Sequence, residues 1–166
     1  MEIVSINKSI RLSEHITLGE VTKSSHTEIN NIPSHVAIEN LKRVCVWLED
    51  LRFTYNSLYC LKPGEDYETS KNVEPIIINS GYRSPELNKK VGGAPTSNHL
   101  TGCAVDIHVA GIEQAMRYAV ILMDYADETK QDYDELLIER NSKGHYWVHF
   151  AVRPKGNRRK TMMIQT

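Results

Sequence analysis

T-S-N-H-L-T-G-C-A-V-D-I-H-V, residues 96–109, decides how the rest of this chain is read. It sets a histidine, His99, and a carboxylate, Asp106, seven residues apart across Gly102. Two ligands on one helical face need a spacing of three or four residues. This spacing suits a loop histidine followed by a strand carboxylate, with Gly102 permitting the turn between them. The strand is legible in C-A-V-D-I-H-V, where Cys103, Val105, Ile107 and Val109 alternate with Ala104, Asp106 and His108. Zinc takes imidazole nitrogen and carboxylate oxygen at roughly 2.0–2.2 Å, and a catalytic site keeps one position for water beside three protein ligands. A solvated aspartate and a surface histidine would read the same way, so the pair needs a third ligand.

The other strand-like histidine pattern is G-H-Y-W-V-H-F-A-V, residues 144–152. Tyr146, Val148, Phe150 and Val152 alternate with His145, Trp147, His149 and Ala151, so His149 points away from the apolar face and His145 shares its side. Antiparallel pairing of the two strands would bring His149 beside Asp106. Y-D-E-L-L-I-E-R, residues 133–140, reads as a strand feeding a hairpin into the His149 strand. A three-residue loop, Ser142-Lys143-Gly144 with Gly144 left-handed, pairs Asn141 with His145 and Glu139 with Trp147, on the face of His149. A two-residue loop would pair Glu139 with Tyr146 and turn an unpaired carboxylate into the core, which is costly. Tyr146 itself reads as core or lip.

These residues resemble a known family. Ser97, His99, Gly102, Ala104 and Asp106 follow the pattern S-x-H-x-x-G-x-A-x-D, Trp147 and His149 form W-x-H, and S-G-Y-R-S, residues 80–84, looks like an arginine element. The pattern is similar to that of the zinc D-alanyl-D-alanine carboxypeptidases and L-alanyl-D-glutamate endopeptidases of bacterial peptidoglycan, which share a fold with the hedgehog signalling domain. The similarity runs from about Thr17 to Val152. It implies an α+β domain with a small antiparallel sheet, helices on one side and a zinc cleft on the other. It further implies zinc held by His99, Asp106 and His149, Arg83 on the scissile carbonyl, and hydrolysis of a stem-peptide bond by metal-activated water. Many relatives carry an acid three residues before the last histidine, where this chain has Tyr146. The hedgehog-like branch places a glutamate comparably to Glu139, which is therefore the candidate general base. Ser97, His108, His145 and Trp147 are candidates for substrate contact or for support of the ligands, with Thr96 and Ser97 suited to tying down the ligand loop. Two rivals stand beside this reading: a wall-peptide-binding module that has lost catalysis, and an intracellular D-alanyl-D-alanine dipeptidase.

Composition bounds the alternatives. With 166 residues, 40% of them hydrophobic, the chain reads as one domain, residues 1–166. A net charge of −1 provides no broad basic field for nucleic acid, and no apolar run reaches the ~20 residues of a membrane span. Arg153, Lys155, Arg158, Arg159 and Lys160 read as a solvated basic tail, residues 153–166, with a weak attraction for anionic wall polymers. Cys45, Cys60 and Cys103 lack ligand or disulfide spacing and read as free thiols. The N-terminus, M-E-I-V-S-I-N-K-S-I-R-L-S-E-H, has no apolar run of the export type, so synthesis in the cytoplasm and release of the phage-lysin kind are expected. A monomeric state is expected as well.

Upstream of the motif, Ala37, Leu41, Val44, Leu48, Leu51, Tyr55 and Leu58 recur at steps of three and four, predicting a helix over 35–59. P-I-I-I-N-S is a short buried strand. A helix beginning at Ser84-Pro85-Glu86 carries Leu87 and Val91 and ends at Gly92-Gly93. Residues 111–127 form a further helix with Ile112, Met116, Ala119 and Met123 inward. His15, His26 and His35 are expected at the surface.

Overall fold

The computed structural model describes residues 6–166. The first five residues, part of the stretch read above for an export signal, lie outside the described residues. The elements in chain order are α1 (Leu18–Thr22), α2 (His35–Tyr59), β1 (Ile78–Ser80), α3 (Pro85–Lys90), a 3-10 turn (Asn98–Thr101), β2 (Ala104–His108), α4 (Ile112–Thr129), β3 (Glu135–Arg140), β4 (Tyr146–Ala151) and β5 (Lys160–Gln165).

The long helix forms where its apolar spacing places it. Ser34 caps α2 by accepting the Ala37 N–H, and Ala37, Leu41, Val44, Leu48, Leu51 and Tyr55 are buried along one face. Leu58, expected to continue that stripe, is exposed in the last turn of the helix. The stripe of α4 is Ala115, Tyr118, Ala119, Leu122 and Ala126, so Met116, expected inward, points to solvent. Val91, the residue that ends α3, is exposed. His15 is less superficial than expected: its Nδ1 lies 2.8 Å from Glu49 Oε2 on α2.

Among the described residues the sheet has five strands, in the order β1-β2-β4-β3-β5. All pairs are antiparallel except β3 with β5, which is parallel, so the sheet is mixed where an antiparallel one was expected. The extra strand comes from the segment expected to be a solvated tail. Arg158 pairs with Asp134 and Glu135, and Arg159 with Asp127 and Asp132, so the basic cluster finds acidic partners in the fold and β5 settles along the open edge of β3.

Helices α2 and α4 cover one face of the sheet. Val105, Ile107, Leu136, Ile138, Val148 and Phe150 point into that side and join the α2 and α4 stripes in one core. Trp47 anchors it, with its ring centroid 5.4 Å from Phe150 and 4.8 Å from Tyr125. Strand alternation then directs Asp106, His149, Glu135 and Glu139 to the opposite face. Register brings them together: Asp106 lies opposite His149, His149 opposite Leu137, and Glu139 opposite Trp147.

Candidate metal centre

Each ligand candidate is held by a local device. Ser97 accepts the His99 N–H at 3.3 Å and so caps the 3-10 turn, the loop-tying role expected of it. Gly102 ends the turn at φ 72°, and a Cβ there would lie 2.4 Å from the Ala37 carbonyl oxygen, so only glycine fits. The imidazole of His99 is oriented through Nδ1, 2.6 Å from the Gly81 carbonyl oxygen. A carbonyl can only accept, so Nδ1 carries a proton and Nε2 is the nitrogen left facing Asp106 Oδ2, at 3.3 Å. Asp106 Oδ1 is 2.9 Å from His149 Nδ1.

One donor atom from each of His99, Asp106 and His149 falls within 4.8 Å of the others, and all three side chains are buried. Neighbouring ligands on a tetrahedral ion with bonds of 2.0–2.2 Å are roughly 3.3 Å apart. The N–O separations of 2.9 and 3.3 Å are already close to that, and the donor set suits a borderline-soft divalent ion. These residues fit a metal.

Charge explains the proton affinities. Burial pushes the Asp106 carboxyl up, but His99 and His149 outweigh it and hold it well below the ordinary carboxylate range. Burial works against charging His149, yet its bonds to Asp106 and Glu135 prevail and raise it to about 9. Glu139, half-buried and facing the fields of His149, Asp106 and Arg83, is raised by desolvation.

Arg83 arrives from β1. Ser80 pairs with Asp106 across a register shift, and the following residues are pinned by Tyr82 N–H on the Val21 carbonyl and Arg83 N–H on the His99 carbonyl. The Arg83 guanidinium then donates to Asp106 Oδ2 at 2.7 Å and to Ser80 Oγ at 2.9 Å. Four of the expected site residues thus meet: Arg83, His99, Asp106 and His149. Glu139 shares their face, and the predicted hairpin holds, with Gly144 at φ 83° and Asn141 N–H donating to the His145 carbonyl. Trp147 and His108 sit opposite one another at the far end of that face. His108 and His145 are exposed.

Four polar residues were not anticipated. Glu135 Oε2 lies 3.2 Å from His149 Nε2 and accepts from Asn98 Nδ2 at 3.0 Å; its other oxygen accepts from Arg158 at 2.9 Å. Ser80 supports Arg83. The signal for Glu135 was available in the register: with Leu137 opposite His149, both Glu135 and Glu139 are diagonal neighbours of that histidine.

Residues 65–138 match the family model of Peptidase M15. The resemblance read from the motif is borne out. The matched segment holds Arg83, His99, Asp106 and Glu135 and ends before Glu139 and His149, which the fold itself supplies. A match to this family implies metallopeptidase activity. No curated protein matches the chain.

Proposed function

We propose that this protein is a zinc peptidase that hydrolyses a peptide bond in peptidoglycan stem peptides, with His99, Asp106 and His149 as the metal ligands. The observation that carries the reading is the convergence of three buried donors from a turn and two neighbouring strands, with a half-buried glutamate on the same face. Bound zinc would lower the pKa of a water and polarise the peptide carbonyl.

The protein's own groups have roles beside it. Glu139, with its proton affinity raised by burial, accepts a proton from the attacking water and returns it to the leaving amine. Arg83 keeps one arm on Asp106 and offers its remaining donors to the oxyanion. Beside the ligand turn lies a pocket of about 340 Å³ whose lining includes Thr96, Ser97, Arg153 and Lys155, cationic and hydroxylic groups suited to the carboxylates of a stem peptide. Among the described residues no helix is long and apolar enough to cross a membrane. We read the whole chain as one domain that acts on the cell wall.

The test is digestion of purified peptidoglycan with mass spectrometry of the fragments, with and without a chelator. New fragments that vanish with chelator and return with zinc are expected, and their masses identify the bond cut. Intact sacculi with zinc-loaded protein bound to them would replace the peptidase with a wall-binding module.

A further inference from the structure

Building on that reading, we propose that Glu135 is a positioning residue, fixing which nitrogen of His149 faces the metal, and that the C-terminal segment locks it in place. The His149 ring spans two carboxylates. Its Nδ1 lies 2.9 Å from Asp106 Oδ1 inside the triad, and its Nε2 lies 3.2 Å from Glu135 Oε2 outside it. A carboxylate on Nε2–H leaves the lone pair on Nδ1, directed at the other ligands, and raises the basicity of that nitrogen. Turning the ring over would point carbon at the triad and forfeit both contacts.

Glu135 is itself immobilised. Asn98, next in sequence to His99, donates to Oε2 at 3.0 Å, and Arg158 donates to Oε1 at 2.9 Å. Arg158 is in turn clamped on the fully buried Asp134, through Nε at 2.9 Å and a terminal nitrogen at 2.8 Å. Arg153 closes the net, its Nε 2.9 Å from Asn98 Oδ1 and 3.0 Å from Asp134 Oδ2. One connected set of charged bonds therefore joins the turn of the first ligand, the carboxylate behind the last ligand and the C-terminal segment. Both oxygens of Glu135 carry donors from neighbouring side chains, which separates its task from that of Glu139.

The experiment measures zinc affinity by competition with a chromophoric chelator, and the protonation of His149 by long-range ¹H–¹⁵N NMR, in Glu135→Ala, Glu135→Leu and Glu135→Gln. Losing such a partner typically weakens a metal by ~10–100-fold. Alanine and leucine are expected to show that loss, with the Nε2–H resonance of His149 shifted and exchange-broadened. Glutamine, whose carbonyl still accepts, is expected to recover most of the affinity. Leucine keeps the bulk of the side chain and decides the matter if the alanine protein fails to fold. Zinc affinity in Glu135→Leu within twofold of the unaltered protein, with an unchanged His149 spectrum, would overturn the proposal while leaving the peptidase reading standing. An unaltered protein that takes up no zinc would overturn both.

Discussion

His149 and Phe150 are neighbours in β4 and face chemically different surroundings. Phe150 faces α2 and α4 and meets Trp47 and Tyr133 at ring centroid distances of 5.4 and 6.0 Å, in a layer of Val105, Ile107, Leu136, Ile138 and Val148. His149 faces the other way, into Asp106, Glu135 and the ring of His99 at 5.1 Å. The apolar face is held by burial, which is non-directional and tolerates volume-conserving exchange. The polar face is held by bonds to particular atoms, where an isosteric change that moves one proton is felt. Stability and function are thus carried on opposite sides of one sheet, one residue apart.

Paired substitutions at these two positions give the largest effects. Phe150→Ala is expected to cost ~3–5 kcal/mol of stability, the usual range for truncating a buried aromatic, measured by urea unfolding of the metal-free protein. His149→Ala is expected to abolish zinc uptake and turnover while leaving the circular dichroism spectrum unchanged. Cys103→Ser, at a buried thiol outside the donor set, should retain zinc. Full zinc occupancy in His149→Ala would erase the contrast between the faces.

A smaller effect separates groups within the polar face. Removing a general base typically costs ~10²–10⁴ in rate, and removing one oxyanion donor ~10²–10³. Glu139→Gln and Arg83→Ala should therefore both fold, bind zinc and turn over poorly, as read by elemental analysis and stem-peptide assays. Undiminished turnover in Glu139→Gln would leave the base elsewhere. Zinc loss in Arg83→Ala would reassign that guanidinium to holding Asp106, which it touches at 2.7 Å.

How far the sequence discloses each face follows from what orders it. Period-two alternation around Asp106 and His149 and the three-residue loop ending at Gly144 are local signals, and both survive in the register. The 3.6 period of α2 survives too, except at Leu58, where the final turn is exposed. In α4 the buried stripe is Ala115, Tyr118, Ala119, Ile121, Leu122 and Ala126; the expected stripe shares Ala119 with it but is rotated toward Met116, because Ala115 and Ala126 carry little hydrophobic bulk to mark the face. β5 carried no signal of its own. Lys160–Gln165 is exposed at nearly every position and forms a strand because β3 offers an edge and Asp134 and Glu135 hold the preceding arginine. The place of Glu135 beside His149 was legible in the register, but its anchoring on Arg158, a contact made across the fold between residues 23 apart, was not.

The gentlest way to sharpen the contrast is pH. His149 has its pKa raised from 6.5 to about 9 in the metal-free fold, chiefly by its bonds to Asp106 and Glu135 against the cost of burial. A raised pKa means that this stabilisation is complete below pH ~6.5 and is lost as pH rises through about 9. Asp106 has the opposite sign: its depressed pKa contributes stability above its ordinary range, lost as pH falls below it. Between these limits the metal-free site is a charged imidazolium between two carboxylates. Zinc needs the lone pair of Nδ1, so uptake expels one proton, and apparent affinity should rise about tenfold per pH unit until it levels near the His149 pKa. Competition titrations across that range, with proton release followed in weakly buffered solution, measure this directly. On the apolar side the buried Cys45 and Tyr118 are pushed up by burial, above this range, so an affinity flat with pH would mean that His149 is neutral before the metal arrives and that Glu135 and Asp106 do not hold it charged.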